Sequence, residues 1–217
     1  MNLCLSGLAG CYDPAAADEA VDRIREARPD AVTFNEACRR DVRRIARRTG
    51  YRVRFTRVIY GGERLRCVSP GGRGLFGNAV LTRAAVTRTE SRAFAAQAGP
   101  ERRRWLCVTT RRGVDVCTAH LNSRSPVEIA GNDAQCAELG ALLADRAAAR
   151  TVIFGGDVNH RASCAPGRLW TRTDAAAGQA AGLQHVYGSR AFRSPAARVV
   201  PAAHTDHDVL VVRSRLR

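Results

Sequence analysis

The stretch TVIFGGDVNHR, residues Thr151 to Arg161, passes from four strand-forming residues through two glycines to a polar pair, Asp157 and Asn159. Thr151 to Phe154 predicts a buried strand. Gly-Asp-x-Asn is a good turn sequence, so the polar pair falls where that strand runs out. On extended chain, two residues so spaced point to the same side. The pattern recurs outward along the chain. Asn2 opens a strand over Asn2 to Ser6. Asp30 to Asn35 (DAVTFN) is a short buried strand that ends at Asn35-Glu36. Trp105 to Thr110 and Val114 to His120 form a hairpin about the turn Arg111-Arg112-Gly113, and His120 closes it. Asp206-His207 precede a last strand, Val209 to Arg213. Each cluster taken singly fits a cap or a turn. Their joint occurrence at strand edges points to one site.

Between these clusters, Ala16 to Ala27, Arg39 to Arg48 and Glu128 to Ala149 predict helices, and Gly50 is placed to end the second. Tyr51 to Tyr60 alternates as a strand does, Gly61 to Gly74 is a loop, and Asn78 to Thr82 is another strand. After Arg161 the chain reads as irregular until the last strand. The class is α/β. No linker divides the 217 residues, so a single domain over residues 1–217 is expected. With 45% hydrophobic and 25% charged residues the chain is not disordered. No apolar run approaches the roughly 18–20 residues that cross a bilayer.

The net charge is +15, and all 35 basic residues are Arg. Such a field draws polyanions. The absence of Lys excludes a P-loop. None of the eight Cys is spaced as C-x-x-C, which argues against zinc ribbons and thioredoxin-like motifs. Scattered Cys in even number point to disulfides and a secreted protein whose export signal has been removed, with a cytoplasmic protein as the alternative. Eight Cys allow 105 pairings. The pairing expected is local: Cys4 with Cys11, Cys38 with Cys67, Cys107 with Cys117, and Cys136 with Cys164. Cys107 and Cys117 lie almost symmetrically about the hairpin turn.

The stretches PDAVTFNEAC (29–38), GNAVLTR (77–83), CTAHLNS (117–123), VIFGGDVNHR (152–161) and HTDHDVLVV (204–212) resemble the endonuclease/exonuclease/phosphatase superfamily, the DNase I-like fold. The resemblance implies a four-layer α/β/β/α sandwich of two mixed sheets with its site at one end. It implies a phosphodiesterase acting on nucleic acid or another phosphodiester. Glu36, Asp206 and Asn2 would offer oxygen ligands to Mg²⁺ (or Mn²⁺ or Ca²⁺), which these donors suit better than zinc. Asp157 would hold or deprotonate the attacking water, and His207 would act as base or phosphate ligand. His120 would be the acid for the leaving group. Asn159 and Asn2 would bind phosphate.

Gln184 stands where the family often has an Asp that orients a site His; Asp174 or Asp208 would then supply that contact. The family also carries several residues ahead of Asn2, so a truncated start is expected. His160 and His204 are expected at the surface or rim. Arg39 to Arg48, Arg64 to Arg73 and Arg102 to Arg104 could hold a nucleic-acid backbone by charge. A monomer is expected. The competing readings are a phosphoesterase for a small or lipid substrate and a nucleic-acid-binding protein with a decayed site.

Overall fold

The computed structural model describes residues 1–217. Helices are α1 (Ala16–Ala27), α2 (Arg39–Thr49) and α3 (Ile129–Ala149). The strands through the first half are β1 (Ala31–Cys38), β2 (Arg52–Arg57), β3 (Ile59–Tyr60), β4 (Glu63–Arg64), β5 (Phe76–Thr82), β6 (Val86–Ala93) and β7 (Glu101–Arg102). The second half adds β8 (Arg104–Thr110), β9 (Val114–Ala119), β10 (Thr151–Asp157), β11 (Leu169–Thr173), β12 (Gln184–Ser189), β13 (Phe192–Val200) and β14 (Val209–Leu216).

One sheet has the order β1-β5-β2, and a six-stranded sheet has the order β11-β12-β10-β9-β8-β6. β13 pairs with β14, and β4-β3-β7 form a small outlying sheet. Helices α1 and α2 bury Val21, Ile24, Val42 and Ile45 with Phe34, Ala79 and Leu81 of the first sheet. Helix α3 buries Leu139 and Leu143 with Val152 and Phe154 of the second. Between the sheets lie Val80, Leu106, Val108 and Val116. The layers are therefore α/β/β/α. Each sheet has one face on its helices and the other on its partner, which explains why β5 is buried at every position.

The expected helices are present, and Gly50 ends α2 in the left-handed conformation. The four local disulfides all form, leaving no free Cys. Cys107 and Cys117 are directly opposed across the hairpin. Two expectations are corrected. Asn2 to Ser6 is not a regular strand: it makes one parallel bridge, Asn2 to Asn35, and Cys4 then turns at φ +44°. The region after Arg161 is not irregular, because it contains β11, β12 and β13. β6 also falls where no strand was expected. β6 and β13 are mostly exposed, so they lack the apolar alternation by which a strand is read.

β9 and β10 run parallel, which brings their carboxyl ends to one edge of the six-stranded sheet. β1 of the other sheet ends against the same edge. Its register with β5 shifts between Phe34 and Ala37, and Glu36 has φ +52°. This is a β-bulge, the device that re-aims a side chain out of a ladder. β10 continues three residues beyond the expected strand end, through Gly155 and Gly156 to Asp157. Those glycines are not a turn. A Cβ on Gly156 would collide with the carbonyl of Ala119 on β9, so Gly lets the two strands close directly before Asp157.

Candidate active site

The end of β1, β9 and β10 gathers Asn2, Glu36, His120, Asp157, Asn159 and His207. Asp157 is the last residue of β10 and 1% exposed. Its Oδ2 accepts from Asn2 Nδ2 at 3.1 Å. The same oxygen lies 3.4 Å from His207 Nε2 and 3.9 Å from His120 Nε2. Its Oδ1 accepts from Asn159 N–H at 3.0 Å. Burial pushes the Asp157 carboxyl up from its usual range, and the His207 ring beside it works in the opposite direction.

Asn2 Nδ2 also donates to Glu36 Oε1 at 2.8 Å, while Asn2 Oδ1 accepts from Cys4 N–H at 3.1 Å. With its oxygen engaged, Asn2 ties two carboxylates together. Burial is also the main cause that raises Glu36, to about 7, with the Asp157 and Asp206 charges adding to it. Asp206 is on the exposed rim and touches neither Asn2 nor Glu36. Glu36 and Asp157 thus share the Asn2 amide, and the Asp206 charge reaches them from the rim. Carboxylate oxygens of this kind are the donors a hard divalent ion takes. The sulfurs nearest Asp206 belong to Cys4 and Cys11, which are joined to each other and offer no thiolate.

The raised Glu36 has a measurable consequence. Between pH 4.5 and about 7 the unfolded chain releases this proton before the native protein does, so rising pH costs native stability across that interval. In chelator-treated protein, the melting temperature of the wild type should fall relative to Glu36→Gln as pH is raised from 4.5 to 7. Parallel melting curves for the two proteins would refute it.

Asn159 faces the same side as Asp157, but not on extended chain. It is left-handed, φ +49°, and a turn closed by Asp157 Oδ1 brings its Nδ2 to 3.1 Å from His120 Nε2 and 3.1 Å from Leu121 O. His207 Nδ1 is buried without a partner. Gln184 does not reach it, because its Nε2 donates to Asp174 Oδ2 (3.2 Å) and to the Asp208 carbonyl (2.6 Å). Nor do the candidate substitutes. Asp174 Oδ1 accepts from Gln184 N–H, and the Asp208 oxygens accept from Gly178 and Ala202 N–H.

Other histidines stand apart. His160 faces Asp133 and His204 faces Asp13, while His185 is buried against the Tyr187 hydroxyl.

Several residues that hold the site were given no role in it by the sequence. Asn35 Nδ2 donates to Asn78 Oδ1 (3.0 Å) and Ala119 O (3.1 Å), and its Oδ1 accepts from Asp157 N–H (2.8 Å). One buried amide therefore staples β1, β5, β9 and β10. Asn132 of α3 donates to Asn122 O and Val158 O, fixing the loops that follow His120 and Asp157. Arg103, flanked on both sides by Arg, reaches His120 Nδ1 at 2.9 Å. Arg73 turns inward to the Leu5 carbonyl, Asp41 and the Tyr12 ring. The basic segments are thus partly structural, and neither Arg73 nor Arg103 belongs to an outer basic face.

A family model described as "Endonuclease/Exonuclease/phosphatase family" matches residues 2–207. No curated protein matches the sequence. Among solved structures, the human Nocturnin catalytic domain with bound sulfate superimposes with a TM-score of 0.76 at 16% identity, covering 100% of this chain and 92% of that one. An endonuclease/exonuclease/phosphatase from Beutenbergia cavernae gives 0.72 at 18% identity, covering 99% and 70%. D. rerio TDP2 complexed with single strand DNA product gives 0.65 at 15%, covering 95% and 94%. These likenesses establish the DNase I-like fold, and the match along nearly the whole sequence establishes the lineage: the chain belongs to the endonuclease/exonuclease/phosphatase family.

Proposed function

We propose that this protein is a divalent-metal-dependent phosphodiesterase that cleaves nucleic acid. The observation that carries this reading is the meeting of Glu36, His120, Asp157, Asn159 and His207 at one strand edge, with Asp157 within 4 Å of both histidines. A bound divalent ion would neutralise charge on the phosphoryl oxygens. Asp157, with His207 beside it, orients the attacking water and takes its proton. Asn159 donates to a phosphoryl oxygen. Asn2 keeps Glu36 and Asp157 in register, and Glu36 with Asp206 would hold the ion.

Nucleic acid is favoured over a small ester by the charge of +15, which supplies a sequence-independent attraction for a phosphate backbone. No helix is long and apolar enough to cross a membrane. Four disulfides suit an oxidising, extracellular setting. The test is incubation with plasmid DNA, RNA and a chromogenic phosphodiester, with Mg²⁺ and then with chelator. Cleavage of nucleic acid that chelator abolishes is expected. Turnover of small esters alone would replace nucleic acid with a small substrate. Tight DNA retention without cleavage in any metal would leave only a binding protein.

A further inference from the structure

Arg103 belongs to none of the strand-end clusters, yet its guanidinium enters the site. It is 8% exposed and its backbone is fixed on both sides. Its N–H donates to Gln97 Oε1 (2.8 Å), and its carbonyl accepts from Phe94 N–H (3.1 Å) and Gln97 Nε2 (3.0 Å). Nη1 lies 2.8 Å from Glu101 Oε1 and 2.9 Å from His120 Nδ1, and Nε has no partner.

A guanidinium has donors only. The contact at 2.9 Å therefore asks His120 Nδ1 for a lone pair. Asn159 Nδ2 makes the same demand on Nε2, but a neutral ring has one lone-pair nitrogen, and the charged, closer guanidinium claims it at Nδ1, which leaves the ring proton on Nε2. A carboxylate behind the ring would select the opposite tautomer. The Nε2–H faces Asn159 Nδ2 at 3.1 Å, itself a donor that has given one hydrogen to Leu121 O. Turning the Asn159 amide over would set its oxygen against that carbonyl. The nearest acceptors to Nε2, Glu36 Oε1 and Asp157 Oδ2, are both at 3.9 Å, beyond hydrogen-bond reach. Two neutral donors therefore converge with no protein acceptor between them. The group that satisfies both is an oxygen rich in lone pairs.

We propose that Arg103 is a positioning residue that locks His120 as its Nε2–H tautomer, so that His120 Nε2 donates beside Asn159 Nδ2 to the phosphoryl oxygen already assigned to that amide. The identity of that oxygen rests on the phosphoesterase reading above; the tautomer does not. On this assignment His120 donates a hydrogen bond and keeps its proton. Burial, and then the Arg103 charge, hold its pKa well below the usual histidine value, which agrees with a ring that stays neutral. Glu101 anchors Arg103 from the far side.

The experiment is long-range ¹H–¹⁵N spectroscopy of ¹⁵N-histidine-labelled, metal-free protein at neutral pH, with His120 assigned by its loss in His120→Gln. The wild type should show a pyridine-like Nδ1 and a pyrrole-like Nε2. In Glu101→Gln/Arg103→Met, which strands no carboxylate, both nitrogens should move to averaged positions, while the His185 signals stay in place as a check on the fold. Arg103→Lys, which still donates, should keep the wild-type pattern. Inorganic phosphate should shift the Nε2–H proton in the wild type and leave the double variant unmoved. Turnover of a phosphodiester should fall about tenfold or more in the double variant and recover in Arg103→Lys.

A protonated Nδ1 in the wild type, or a double variant with wild-type His120 signals, would overturn the tautomer assignment. An unshifted Nε2–H proton on adding phosphate would overturn the phosphoryl-oxygen site. Inactivity on every ester with a correct tautomer would instead count against the phosphoesterase reading alone.

Discussion

Asp157→Asn should reduce phosphodiester turnover by roughly a hundredfold or more while leaving the protein at least as stable as the wild type. Asp157 Oδ2 is the point where Asn2 Nδ2, His207 Nε2 and His120 Nε2 all face one acceptor. An amide of the same shape either presents NH₂ to these donors or turns that group toward Asn159 N–H, which Oδ1 now accepts. It also has no basicity with which to receive a proton from water. Stability runs the other way. Burial disfavours the Asp157 charge, so a neutral isostere removes a native-state cost. The two effects are separable in one preparation by initial rates and a thermal melt. Near-normal turnover would remove Asp157 from the chemistry, and a large drop in melting temperature would make the loss of rate a folding effect.

His207→Ala is expected to cost a similar factor, for a different reason. The ring is 7% exposed, its Nε2 stands 3.4 Å from the carboxylate, and no residue holds its Nδ1. Burial and the approach to Asp157 are what hold the ring. Removing the ring leaves Asp157 without the partner that opposes its burial. The loss should be in kcat rather than in KM for long nucleic acid, because binding of the polymer is spread over many arginines. His207→Gln should not restore the rate, since an amide can reach Asp157 but cannot exchange a proton near neutral pH. A wild-type rate in either variant would overturn the role given to this histidine.

The polar clusters that make up the site were legible because each stands next to a strand whose apolar residues announce it. Phe154 and the two glycines mark Asp157, and DAVTF marks Glu36. The helices were legible for the same reason, since α2 alternates Val42, Ile45 and Ala46 with arginine. β6, β11 and β13 were not, because exposed or edge strands carry little apolar alternation. In β12 only Gln184 was marked, through the resemblance, and not the strand that carries it. That the strand runs on through the glycine pair was not legible, because the reason for those glycines is across the sheet, at the Ala119 carbonyl, and not in the local sequence.

Composition and local pattern determined the α/β class, the three helices and the list of groups able to do chemistry. These depend on periodicity and on residues close together in the chain, both of which a linear sequence carries. The structure selected the local pairing among the 105 open to eight Cys. Only the tertiary structure decided how those groups address one another. Asn2 turned its amide nitrogen to the carboxylates, and Gln184 was spent on Asp174 and Asp208. Arg103 came from outside every motif to sit on His120. Hydrogen-bond direction and the sharing of buried charge are set by partners tens to hundreds of residues apart, and no local spacing encodes them.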